Sequence, residues 1–166
     1  MGKMFGGFIC ILPFIVWLIV VIIVSYSFSV GCEQYLKRAA DANTVEMAKT
    51  QLTTALTYME QHNLTSGICS IFLQQPKNDV GFWYNNIKAA KAELDSLPIN
   101  VTPLERTNVL MKLRETLVDQ GESTSITLPS GISQYPNNKT FFWLGIIFAL
   151  LGCIGCIVFY AGLSDY

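Results

Sequence analysis

Five cysteines, one histidine and two closely spaced acids are the side chains from which this 166-residue chain would have to build any chemistry. Cys153-Ile-Gly-Cys156 has the spacing of a redox pair or of half a metal site. It lies in an uncharged apolar run with no histidine or acid beside it, where a thiolate is costly, so small packing residues are the better reading. Cys10 sits in a similar run and reads as apolar filler, and Cys69 has no basic neighbour in sequence to lower its pKa. His62 stands alone, which removes every His-cluster metal site and most catalytic triads. Near the expected end of a helix it suits the negative end of the helix dipole. Glu93 and Asp95 do not stack on one helical face. The expectation is a chain with no catalytic residue, no cofactor and no metal site.

The elements that would position any site begin with a membrane anchor. Phe5 to Val30 carries no charged side chain over more than the ~20 residues that a helix needs to cross a bilayer core. A cleavable signal has an apolar core of only about 7 to 15 residues, so the run reads as a retained anchor. The competing feature is Ser29-Val30-Gly31-Cys32, which partly matches a lipoprotein cleavage box in which Cys32 would be lipidated. Phe141 to Tyr160 is a second uncharged run of spanning length, with Phe141, Phe142 and Trp143 at one end and Tyr160 at the other, where amphipathic rings favour the interface. Within it Gly145, Ala149, Gly152 and Cys156 follow a 4-3-4 spacing. Small side chains on one face let another helix approach closely; the first span is the nearest partner and a separate subunit is the alternative.

The chain therefore divides into a tail and first span (residues 1–30), an intervening domain (31–140), a second span (141–160) and a tail (161–166). Of its 11 basic and 12 acidic residues only Lys3 and Asp165 lie outside that domain, which is close to neutral and offers no basic patch for nucleic acid. Two spans put both termini on one side of the membrane. Lys3 marks that side as cytoplasmic, so the domain is expected outside, in an integral multi-pass protein of a bacterial inner membrane or a plasma membrane. The glycosylation triplets at Asn63, Asn100 and Asn138 all fall in it and carry meaning only in a eukaryote.

Within the domain Val45, Ala48, Leu52, Ala55 and Met59 repeat at 3-4-3-4, the seam of a coiled-coil-like packing. No Pro or Gly interrupts Cys32 to His62, so the pattern predicts one helix continuous with the first span, rising about 45 Å. Asn63 to Gly67 ends it, and Ile68 to Leu73 reads as a helical turn because nothing nearby offers a pairing edge. Asp79 reads as an N-cap, followed by Val80, Trp83, Ile87, Ala90, Leu94 and Leu97 on one seam up to Pro98. Thr102-Pro103-Leu104-Glu105 is a capping box opening a third helix that buries Leu110, Leu113 and Leu117 and stops at Gly121. Ile126, Leu128 and Ile132 then suggest an extended strap descending along the helices towards the second span. The predicted fold is all-α: two transmembrane helices flanking a three-helix bundle with an extended C-terminal strap. In architecture alone this layout resembles the input half of bacterial membrane chemoreceptors and sensor kinases; no motif carries the likeness.

The conspicuous cluster is Phe82-Trp83-Tyr84-Asn85-Asn86. If Trp83 fills the seam, Phe82 or Tyr84 must face outward, either covering the 68–73 loop or forming a recognition patch. Phe82, Tyr84 and Asn85, with Gly145, Ala149, Gly152 and Cys156, are the candidate interaction residues. Lys88 is placed to meet the Tyr84 ring in a cation-π contact. The reading is a non-catalytic accessory or scaffold subunit of a membrane complex, with lipid and a membrane-protein partner or a second copy as its contacts. A small-ligand sensing module is the alternative. An enzyme or a pore stands lower, because no catalytic constellation and no polar stripe is visible.

Overall fold

The structure, a computed structural model, describes residues 2–70, 74–98, 101–119, 125–132 and 139–164. Residues 71–73, the expected helix stop at Gly121 and the triplet asparagines Asn100 and Asn138 lie outside them. The chain forms two compact units, Met1–Ser25 with Asn138–Tyr166, and Tyr26–Asn137.

The first unit pairs the greater part of α1 (Gly2–Phe28) with α6 (Lys139–Ser164), each long and apolar enough to span a membrane. The two run antiparallel, and glycines set their spacing. A Cβ on Gly155 would stand 2.8 Å from the Gly7 carbonyl oxygen, and one on Gly152 would stand 3.2 Å from the Phe14 side chain. Gly145 lies against the Trp17 indole, whose ring centre is 5.6 Å from that of Phe141. Backbones that approach this closely gain dispersion contacts that larger side chains would prevent. The outward residues stay apolar, among them Phe8, Ile15, Ile22, Leu150, Ile154 and Ile157, all exposed.

The second unit corrects the prediction of one long helix. The helix of α1 does continue, through a π-helical turn at Ser29–Glu33 into α2 (Gln34–Ala40), but it stops there. After Asp41-Ala42-Asn43, Thr44 adopts an extended conformation and its side chain accepts the Met47 N–H at 3.2 Å, capping a separate helix α3 (Val45–Gln61). Helix α3 folds back on α2, so that the Tyr58 ring near its C-terminus meets Phe28 edge-on at 6.2 Å and lies directly against Gly31. The expected seam is present: Val45, Ala48, Leu52, Ala55 and Met59 are all buried. It packs against the preceding helix instead of extending it.

Helix α3 ends in a tight turn with Asn63 in the left-handed region at φ 56°, where the Leu64 N–H reaches back to the Met59 carbonyl at 2.8 Å. Asn tolerates that conformation better than most residues, which suits it to a helix stop. Ile68 then pairs with Asp79 in an antiparallel bridge, a correction to the helical turn expected there: the loop's own return supplies the pairing edge. Helix α4 (Val80–Asp95) runs antiparallel to α3, since Tyr84 meets Glu60 at one end and Lys49 meets Asp95 at the other. Helix α5 (Pro103–Leu117) opens with the predicted capping box and packs on α4 and α2. It ends at Leu117 and passes into a two-residue strand β1 (Val118–Asp119), which pairs with β2 (Ser125–Ile126).

Four helical segments, not three, therefore build this unit among the described residues, with Leu36, Leu52, Met59, Val80, Ile87, Leu94, Leu113 and Leu117 sharing the core. Burying each such side chain contributes roughly 1.5–3 kcal/mol. Because α3 already returns, α5 ends beside the start of α4, the two ends meeting through Thr127. Residues 125–132 lie as a short strap there, with Ile132 and Pro129 buried and Leu128 half-buried.

Candidate functional site

The N-terminal turns of α4 assemble the most developed surface feature. The preceding loop is pinned by backbone bonds from Cys69 N–H to the Asn78 carbonyl (3.0 Å) and from Val80 N–H to the Gly67 carbonyl (2.9 Å). Asp79 caps the helix as its sequence position predicts, Oδ1 accepting the Phe82 N–H at 3.0 Å. One turn in, the Trp83 indole N–H donates to the Thr127 carbonyl at 2.8 Å, and the Thr127 N–H donates to the Leu117 carbonyl at 2.9 Å. These bonds hold the strap across the end of α5 and leave a cleft of about 600 Å³ between it and α4. Pro76, Lys77, Asp79, Phe82, Trp83, Asn86 and Ile87 line one side, with Thr116 and residues 127–130 opposite.

Phe82, expected as a recognition residue, is 66% exposed at this cleft. Tyr84 is not its companion. Only 6% of Tyr84 is exposed, its ring packs in the core, and its hydroxyl donates to Glu60 Oε1 at 2.7 Å. Of Phe82 and Tyr84 it is Phe82 that faces outward, and the expectation that Trp83 fills the seam is corrected: α4 turns Val80, Tyr84, Ile87 and Leu94 into the core and leaves Trp83 half-buried under the strap. The hydrogen bond to Glu60 holds the Tyr84 phenol above its usual pKa, with burial and the glutamate charge adding to the effect. Lys88 Nζ lies 5.6 Å from the Tyr84 ring centre, the expected cation-π contact. Asn85 is exposed outside the cleft, and its neighbour Asn86 lines it.

On α6 the structure places Gly145 and Gly152 in the contact with α1, with Ala149 half-buried. Cys156 is exposed, and Gly155 occupies the contact in its place. The 4-3-4 count overlooked Gly155 because it followed side-chain size at one register. Gly7 on the opposing helix was the missing signal, since glycine facing glycine is what permits the closest approach.

Of the side chains with chemical potential, His62, Glu93 and Asp95 have structural partners. All five cysteines are free thiols; Cys153 is exposed like Cys156, Cys10 is half-buried, and Cys32 and Cys69 are buried. Burial pushes the Cys69 thiol up to about 11, away from nucleophilic use at neutral pH. His62 stacks on Tyr58 at 3.9 Å between ring centres, with Nδ1 2.9 Å from the Tyr58 carbonyl oxygen at the end of α3. Glu93 pairs with Lys112 at 2.8 Å, while Asp95 accepts from Lys91 at 2.6 Å and lies 3.6 Å from Lys49. The Lys91 hydrogen bond holds the Asp95 carboxyl below its ordinary range, and these pairs tie α3, α4 and α5 along exposed edges. Among the described residues no group of three metal-ligating side chains comes together. Compared with protein families, with curated proteins and with solved structures, the chain matches none.

Proposed function

We propose that this chain is an integral membrane protein anchored by α1 and α6, with its Tyr26–Asn137 unit outside the cytoplasm, and that it serves as a non-catalytic accessory or scaffold subunit of a membrane complex. The anchoring rests on the exterior of the helix pair: glycines consume the facing surface, and the remaining circumference is exposed apolar side chain that a lipid core would match. Lys3 supports the orientation, since a short basic tail favours the cytoplasmic side. The observation that carries the interaction role is Phe82, a large aromatic displayed at the mouth of a formed cleft on a unit that has otherwise buried its large apolar side chains along α4. Contacts with membrane lipid and with a membrane-protein partner or a second copy follow from this arrangement.

A second reading, small-ligand sensing, is favoured by the size of the cleft, because a hollow of several hundred Å³ suits a small molecule better than a flat protein surface does. The two separate on purification from native membranes in mild detergent. The subunit reading expects a stoichiometric partner that wild-type protein retains and Phe82→Ala releases, with an unchanged melting temperature because Phe82 is exposed. Purification of a partner-free chain, or equal retention by both proteins, removes it.

A further inference from the structure

The cleft on α4 combines apolar walls with one cationic and one anionic side chain, Lys77 and Asp79. Phe82, Trp83, Ile87 and Leu128 give it flat and branched apolar surface, and its volume of about 600 Å³ is that of a small-molecule site. Its charge is set by two side chains. Asp79 is committed locally, its Oδ1 accepting the Phe82 N–H and so answering the positive end of α4. Lys77, two residues earlier, lines the same cleft, and the ion pairs among the described residues engage Lys49, Lys91 and Lys112 but not Lys77. A flexible ammonium beside an aromatic wall is complemented by an anion carried on a flat apolar body.

We propose that the cleft binds a small aromatic carboxylate, its ring against Phe82 and Trp83 and its carboxylate on the Lys77 ammonium. Asn86, at the same wall, supplies an amide that can hydrogen-bond a polar ring substituent. Exposed Lys77 gives discrimination between charged and neutral ligands, and the apolar walls give the bulk of the affinity. The inference rests on the small-ligand reading of this cleft, and it shares Phe82 with the subunit reading.

The test uses the full chain in lipid nanodiscs, with empty nanodiscs as the partition control, and two probes of the same ring system, 2-naphthoate and 2-naphthamide. Equilibrium dialysis should show saturable binding of naphthoate at one per chain and naphthamide binding about tenfold weaker, the discrimination a charge-assisted contact provides. Lys77→Gln should bring naphthoate down to the naphthamide level without moving the melting temperature. Phe82→Ala should weaken both probes together. Equal affinity of the wild-type chain for the two probes, naphthoate binding untouched by Lys77→Gln, or uptake no greater than by empty nanodiscs would each overturn the proposal. Partner retention is a separate measurement, so either reading can fail while the other stands.

Discussion

Tyr84 joins α4 to α3 through a hydrogen bond to a charged acceptor, and its contribution to stability is therefore tied to alkaline pH. A phenol whose pKa is raised on folding binds its proton more tightly in the folded state than in the unfolded state. Its contribution is complete below the ordinary tyrosine range near ~10 and is lost as pH rises through the raised value. Tyr84→Phe should lower stability at neutral pH by about 1 kcal/mol. It should also flatten the fall in melting temperature above about pH 10 relative to wild type. Parallel declines in the two proteins would show that the Glu60 bond does not couple to folding. The same residue marks a limit of reading the sequence. Trp83 and Tyr84 are both large, aromatic and adjacent, so spacing alone assigns the core to whichever continues the count from Val80. The deciding factors, Glu60 on α3 and the Thr127 carbonyl, are brought up by chain 24 and 44 residues away.

At the scale of elements, the type of each helix was legible and the break between α2 and α3 was not. The Asp79 cap, the Thr102–Glu105 capping box and the seam from Val45 to Met59 are local signals, and each stands as read. The stop after Ala40 has no Pro or Gly to announce it. Thr44 restarts the chain as the N-cap of α3, and the packing of α3 on α2 completes the turn. Gly31 is the close contact of that packing, because a Cβ there would collide with the Tyr58 ring. Gly31→Ala should therefore destabilise the chain by about 1–3 kcal/mol, and Tyr58→Ala in the same chain should recover part of the loss. Strictly additive effects in thermal melting would disprove the contact. In the α1–α6 pair, Gly155→Leu should drive the helices apart, because the neighbour it meets is the Gly7 backbone, which cannot turn aside. Ile154→Leu, at an exposed position, should leave pairing intact. If cysteine crosslinking between α1 and α6 responds alike to both, the glycines do not set the spacing.

For the whole molecule, the division into a terminal helix pair and an intervening helical unit follows directly from where charge is absent, and hydrophobic runs of this length leave few alternatives. The path within the unit was the harder matter, because reversing one connection changes the direction of every later helix. If the orientation proposed from Lys3 holds, protease added to intact cells or spheroplasts should digest the chain between the spans and spare a tag fused to the C-terminus. Loss of the tag, with the central segment protected, would invert the topology.

The helix pair is assembled from the two extremes of the chain, Met1–Ser25 and Asn138–Tyr166. Synthesis proceeds from the N-terminus, so α1 exists for a time with the Gly7 face unmatched, and its partner is made only after the Tyr26–Asn137 unit. Closing a flexible loop of about a hundred residues to bring the two together would cost about 4 kcal/mol in chain entropy. The helices of the Tyr26–Asn137 unit can fold as they emerge, because α2 with α3, α3 with α4 and α4 with α5 are successive neighbours, which shortens the flexible chain left to close. A variant whose central helices fold slowly would thus leave α1 and α6 available to the helices of other proteins, and its first visible defect would be promiscuous association through those two helices.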